Sequence, residues 1–277
     1  MKIIDGKAIA ATIREQIRKD VEQMQRKPSL AVVIVGEDPA SQIYVRNKVK
    51  ACGEIGISSY VFVLPADCSQ EGLEGKLDEL ATDKAIDGIL LQLPLPKHLN
   101  AESAMARIPF EKDVDGFSER NLGLLALHKE NTVACTPLGV IKLLEAEGVQ
   151  IAGKHAVVLG RSDTVGKPMA MLLLNADATV TVCHSKTKNL KELCLQADIL
   201  VAAIGKAKFV TEDMVKEGAI VIDVGINRDE NGKLCGDVDF ENVKEKTSLI
   251  TPVPGGVGPM TIAMLMQNTC IAAKNNA

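Results

Sequence analysis

The chain has 277 residues, 46% of them hydrophobic and 25% charged, which suits one large globular domain or two ordinary ones and excludes a disordered chain. Its 32 basic and 36 acidic residues leave a net charge of −4, so there is no basic excess for binding nucleic acid or a membrane surface. The longest apolar runs, such as 30–35 and 199–204, fall far short of the about 20 residues that a membrane helix needs.

The opening residues move from Met1-Lys2 to Asp5 and Arg14 without a signal-peptide core, and a cytoplasmic location is expected. Ile9, Ile13, Ile17, Val21 and Met24 recur at near-helical spacing and predict an amphipathic helix. A buried-type strand follows at 30–35. Asp38-Pro39 then reads as an N-cap with proline in the first helical position, opening a helix that runs to about Cys52. Further on the pattern predicts a strand at 59–64, a helix at 70–82, and a strand at 86–93 that ends in Leu-Pro-Leu-Pro. The stretch 110–136 is rich in turn residues, and Pro137 is expected to start the next helix. Strands are predicted at 155–159, 179–183, 199–203 and 220–224, with a helix near 165–174. A glycine-proline loop at 252–259 feeds a last helix over 260–273.

This alternation of helix and strand predicts an α/β fold with mostly parallel sheets, read as two α/β domains with a cleft between them, the C-terminal one Rossmann-like. Residues 1–136 form the expected first domain, 137–259 the second, and the helix over 260–277 is expected to pack back on the first. The seven cysteines (Cys52, Cys68, Cys135, Cys183, Cys194, Cys235 and Cys270) include no Cys-x-x-Cys pair, and the four histidines are dispersed. Reduced thiols are expected, with neither a disulfide framework nor a metal site.

Three segments could carry chemistry. Gly160-Arg161-Ser162-Asp163-Thr164-Val165-Gly166 lies between a predicted strand and helix, where backbone N–H groups and the helix dipole can receive a pyrophosphate. Ser162 replaces the second glycine of the usual fingerprint, and a purely structural turn would also use Gly160 and Gly166. The following strand ends Cys183-His184-Ser185-Lys186-Thr187-Lys188, with no carboxylate for a ribose 2′-hydroxyl. With Arg161 nearby, that composition favours the 2′-phosphate of NADP over NAD.

Ser41, Tyr44 and Lys48 stand at i, i+3 and i+7, so they fall within about 60° of one another on one helical face. A lysine there can serve as a general acid or base, although an exposed surface lysine would satisfy the same spacing. Gln92 sits near the end of an apolar strand and needs a partner, structural or substrate. Asp113 and Asp115 share a turn, and a carboxylate there either organises the turn or receives an amino-pyrimidine edge through paired hydrogen bonds.

Taken together, Asp38-Pro39-Ala40-Ser41-x-x-Tyr44-Val45-x-x-Lys48, Gln92-Leu93-Pro94-Leu95-Pro96, Lys112-Asp113-Val114-Asp115-Gly116, Cys135-Thr136-Pro137, Gly160-Arg161-Ser162-x-x-Val165-Gly166-x-Pro168 and Pro254-Gly255-Gly256-Val257-Gly258-Pro259-Met260-Thr261 resemble the bifunctional methylenetetrahydrofolate dehydrogenase/cyclohydrolase family. Thr164, where the family commonly has a larger aliphatic residue, and Asp177, where it often has glycine, depart from the pattern. The resemblance implies oxidation of 5,10-methylenetetrahydrofolate with NADP⁺, followed by hydrolysis of the methenyl product to 10-formyltetrahydrofolate. It implies Lys48 for proton transfer, Gln92 to tune it, Tyr44 to stack on the folate, and Asp115 to anchor the pterin. Ser41, Gly256 and Pro259 would border the substrate, with Asp113 a lesser candidate. Gly160, Arg161, Ser162, Gly166, Ser185 and Ile226 would hold NADP, and the enzyme would be a homodimer acting on tetrahydrofolate derivatives. A dehydrogenase without the hydrolytic activity, another two-domain dehydrogenase, and a nucleotide sensor are the competing readings of the same residues.

Overall fold

The computed structural model describes residues 1–276. In chain order it contains β1 (Lys2–Ile3), α1 (Gly6–Glu22), β2 (Ser29–Val35), α2 (Pro39–Glu54), β3 (Ser58–Leu64), α3 (Gln70–Thr82), β4 (Gly88–Leu91), α4 (Ala101–Met105), α5 (Glu119–Ala126) and α6 (Cys135–Ala146). There follow β5 (His155–Leu159), α7 (Gly166–Asn175), β6 (Thr179–Cys183), α8 (Leu190–Cys194), β7 (Ile199–Ala202), β8 (Ile220–Asp223), β9 (Asn227–Arg228), β10 (Leu234–Cys235), α9 (Phe240–Val243), β11 (Leu249–Ile250) and α10 (Val257–Asn275). These elements form two compact units.

One unit takes residues 12–135 and the chain from 265 onward. Its sheet is parallel throughout, in the order β3-β2-β4. The central strand, β2, is buried at all seven positions, which is why it reads as an unbroken apolar run rather than an alternating one. Leu73, Leu77 and Leu80 of α3 lie along one helical stripe and pack with Ala31, Val33, Ile89 and Leu91. At the start of α2, Asp38 accepts the Ser41 N–H at 2.8 Å and Pro39 occupies the first turn. The strand expected over 86–93 is shorter, because Pro94 lacks a donor for continuing the ladder. The Gln92 N–H still reaches Val33 O at 2.8 Å.

The other unit takes residues 1–11 and 136–264. Its sheet has six parallel strands in the order β1-β11-β8-β7-β5-β6. The chain leaves β5 for its neighbour β6, then crosses to β7 on the other side of β5. The strand order therefore reverses at the C-terminal ends of β5 and β7, where open α/β sheets bind ligands. Residues 1–11 belong here and not with the segment that follows them, because β1 pairs with β11 at the sheet edge. A two-residue strand has no periodicity from which its partner could be read.

Two helices begin earlier than the sequence suggests: α6 starts at Cys135 rather than Pro137, and α10 at Val257 rather than Met260. In both a proline stands in the first turn, where its missing N–H costs no helical bond. Asp177, one of the two departures noted above, has φ +63°, a left-handed conformation that glycine adopts without strain and that aspartate tolerates better than most residues. Among the described residues no helix is long and apolar enough to cross a membrane.

Candidate active site

In the three-stranded unit, α2 presents the predicted stripe: Ser41 is buried, Lys48 half-buried and Tyr44 45% exposed. Lys48 Nζ donates to Gln92 Oε1 at 3.2 Å. Gln92 Nε2 donates to the adjacent Leu93 carbonyl at 2.6 Å, which fixes the amide with its oxygen toward the lysine. Gln92 thus has both a backbone partner and the candidate proton-transfer group.

The two aspartates of the 113–115 turn divide their work. Asp113 is buried and its carboxylate accepts the N–H groups of Gly116 at 2.9 Å and Ser118 at 2.7 Å, and Asn121 Nδ2 at 3.0 Å. Its acceptors serve the turn itself. Asp115 has no hydrogen bond to the described residues, and its carboxyl is pushed up to about 6 by burial. The Lys48 charge opposes that shift and Asp113 reinforces it. The turn is braced from behind: Thr132 Oγ1 donates to Asp113 O at 2.7 Å, and Asn268 Nδ2 donates to Val114 O at 2.9 Å and Val133 O at 2.8 Å. A cavity of about 20 Å³ beside Asp115, walled by Ile89, Leu91, Met105 and Phe117, has room for a single water and none for a heterocycle.

In the six-stranded unit, the switch point of the sheet opens on a cavity of about 320 Å³. Gly160 and Arg161 follow β5, His184 and Ser185 follow β6, and Ala203, Ile204 and Lys206 follow β7; all line it, as do Ser162 and Phe209. Gly160 has φ +117°, and a Cβ there would lie 2.2 Å from Ala203 O, so a glycine is required where β5 and β7 meet. Ser162, in the second glycine's place, accepts the N–H groups of Val165 at 3.2 Å and Gly166 at 3.3 Å on its Oγ. The serine therefore satisfies two of the donors expected to face a pyrophosphate, and its own O–H remains available to donate. Arg161 and Lys206 supply positive charge and no carboxylate lines the cavity. This donor set suits a phosphorylated dinucleotide such as NADP.

Gly166 lies outside the cavity wall; a Cβ there would meet Gly160 O at 2.3 Å, so its service is close packing of turn on helix. Ile226 is also absent from the wall and is 56% exposed. Gly256 and Pro259 sit in this unit, Gly256 on the loop leading into α10, where its N–H bonds Pro252 O at 2.9 Å, and Pro259 in the first turn of that helix. His184, Ile204, Lys206 and Phe209 were not anticipated. The signal for Lys206 is its place just beyond a strand end, legible only once that strand is known to lie beside β5. All seven cysteines are free, five of them buried, and among the described residues no cluster of His, Cys, Asp or Glu could hold a metal ion.

Family models match two successive parts of the chain. The family model described as the catalytic domain of tetrahydrofolate dehydrogenase/cyclohydrolase matches residues 4–115, and that of its NAD(P)-binding domain matches residues 134–277. The chain belongs to the tetrahydrofolate dehydrogenase/cyclohydrolase family. It is 55% identical to the bifunctional protein FolD of Campylobacter concisus over 99% of this chain and 98% of that one. Among solved structures, the bifunctional FolD methylenetetrahydrofolate dehydrogenase/cyclohydrolase of Campylobacter jejuni is 50% identical with a TM-score of 0.97, covering 100% of both chains. The Trypanosoma brucei methylenetetrahydrofolate dehydrogenase-cyclohydrolase, solved with NADP and an inhibitor, is 40% identical with a TM-score of 0.93, covering 99% of this chain and 97% of that one.

Proposed function

We propose that this member of the family oxidises 5,10-methylenetetrahydrofolate with NADP⁺ and hydrolyses the resulting methenyl cation to 10-formyltetrahydrofolate, with Lys48 as the proton-transfer group of the second reaction. When bound, NADP⁺ supplies the hydride acceptor. Arg161, Lys206, Ser162 and Ser185 hold its phosphates and ribose, with Gly160 giving the backbone room to approach. Asp115, free of internal hydrogen bonds, offers both carboxylate oxygens to the amino-pyrimidine edge of the pterin, and Tyr44 presents an exposed ring for stacking. In the hydrolytic step the water that adds to the methenyl carbon must lose a proton, and the ring nitrogen that leaves must gain one. Lys48 moves that proton, and Gln92 keeps its Nζ in place. The observation that carries this reading is the Lys48–Gln92 hydrogen bond coupled to the unpaired carboxyl of Asp115.

We infer a cytoplasmic homodimer. The support for dimerisation is β3, an edge strand paired only with β2, whose Tyr60, Val61 and Val63 are exposed. An apolar edge strand of seven residues needs a cover, and a second copy can supply it by strand pairing. Absorbance kinetics on Lys48→Met test the reaction assignment. Continued NADP⁺ reduction with accumulation of the methenyl compound supports Lys48 as the hydrolytic group; hydrolysis at the wild-type rate removes it from that role.

A further inference from the structure

Asp237 is fully buried, and its carboxylate collects four donors. Oδ2 accepts the N–H groups of Ile204 at 2.6 Å and Gly205 at 3.0 Å, while Oδ1 accepts the Lys206 N–H at 2.8 Å and Asn227 Nδ2 at 2.9 Å. Three consecutive backbone N–H groups converging on one carboxylate dictate the path of residues 204–206. Ile204 and Lys206 form part of the nucleotide cavity wall, whereas Asp237 does not touch the cavity. The Lys206 ammonium is held over Phe209, another wall residue, 5.5 Å from its ring centre.

Behind Asp237 stands a second buried carboxylate, Asp223, at the end of β8. Its Oδ1 accepts the N–H groups of Asp237 at 2.9 Å and Gly225 at 3.0 Å, and its Oδ2 that of Val238 at 2.9 Å. Burial raises the Asp223 carboxyl to about 7 against the pull of those N–H groups. Neither carboxylate has an ion-pair partner among the described residues, so six backbone N–H groups and the Asn227 amide compensate the two buried groups. A hydrophobic side chain would fill the same space without that desolvation cost. What a carboxylate adds is directional grip on the segment it holds.

We propose that Asp237 is a positioning residue for the cofactor: by gathering the N–H groups of residues 204–206 it sets the Ile204–Lys206 wall of the nucleotide cavity. Asn227 extends the same grip to the 225–227 segment that carries Ile226. The inference rests on the NADP assignment above, and the experiment separates the two.

Asp237→Asn keeps the size of the side chain but turns an NH₂ group toward backbone N–H groups that need an acceptor. Gly205→Pro leaves Asp237 intact, deletes one of its donors, and bars the φ of +66° that Gly205 adopts at an open surface position. The expected result in steady-state kinetics is a KM for NADP⁺ raised about tenfold or more in both variants. The kcat at saturating NADP⁺ stays within about twofold of wild type and the KM for the folate does not move. A merely structural carboxylate predicts falls in kcat and melting temperature with the KM for NADP⁺ unchanged, and that outcome overturns the proposal. If Asp237→Asn does not fold, Gly205→Pro decides alone: a raised KM for NADP⁺ supports the proposal and an unchanged one overturns it. Wild-type enzyme that reduces no NADP⁺ would instead sink the cofactor reading itself.

Discussion

Gln92→Met isolates the contribution of the amide to hydrolysis. The side chain has nearly the same length and volume, so the C-terminal end of β4 keeps its packing, while the acceptor for Lys48 Nζ at 3.2 Å is lost. A hydrogen bond to a charged donor contributes about 1.5–3 kcal/mol when buried. Both groups here are half-buried, which puts the expected loss at the lower end, about 1.5 kcal/mol or roughly tenfold in rate. The second bond of the amide, to Leu93 O at 2.6 Å, orients Gln92 and contributes nothing to proton transfer directly. The assay follows the decay of methenyltetrahydrofolate absorbance for hydrolysis and NADPH formation for oxidation, on the same preparation. Hydrolysis falls about tenfold and NADP⁺ reduction changes by less than about twofold. Equal loss of the two activities, or no loss of hydrolysis, would refute a role for Gln92 in holding Lys48.

Three further outcomes follow from the same geometry. Arg161→Ala removes one of two cations from a cavity wall without carboxylates, and the preference for NADP⁺ over NAD⁺ in kcat/KM should fall by about 10- to 100-fold; an unchanged ratio would place the 2′-phosphate elsewhere. The Asp115 carboxyl is pushed up to about 6, so it is ionised above that pH and loses an acceptor as it protonates below it. The folate KM should therefore be flat from about pH 7 upward and rise by up to about tenfold per unit below about pH 6, with Asp115→Asn abolishing that rise. Arg26→Met strips the guanidinium that bonds both oxygens of the fully buried Asp87, whose remaining partners are the N–H and Oγ of Ser29. Because the Arg26 side chain is 48% exposed, the loss is expected at about 2 kcal/mol rather than the 3–5 of a wholly buried pair, read as a drop of several degrees in melting temperature that Arg26→Lys partly restores.

Much of the three-stranded unit is legible locally. The unbroken apolar run of β2, the Asp38-Pro39 start of α2 and the i, i+3, i+7 stripe of Ser41, Tyr44 and Lys48 depend on neighbours within two helical turns, and chain geometry enforces them wherever the segment sits. The same holds for the Gly160 turn between β5 and α7 and for the acid-poor end of β6 that favours NADP. These patterns, in this order along the chain, were sufficient to identify the family.

What only the tertiary structure decided involves partners far apart in sequence. Gln92 is 44 residues from Lys48, and nothing in the strand 86–93 states which way its amide turns. Asp113 and Asp115 look alike in a turn-rich segment; the N–H groups of Gly116 and Ser118 and the amide of Asn121 settle that one organises the turn while the other is left without a hydrogen bond. Lys206 comes to line the cavity at the strand ends only because β7 lies beside β5, and its N–H bonds Asp237, 31 residues on. The first residues of the chain join the six-stranded sheet because the edge of β11 accepts β1. Period and capping are properties of a segment, whereas strand order and hydrogen-bond partners follow from which distant segments fold against it.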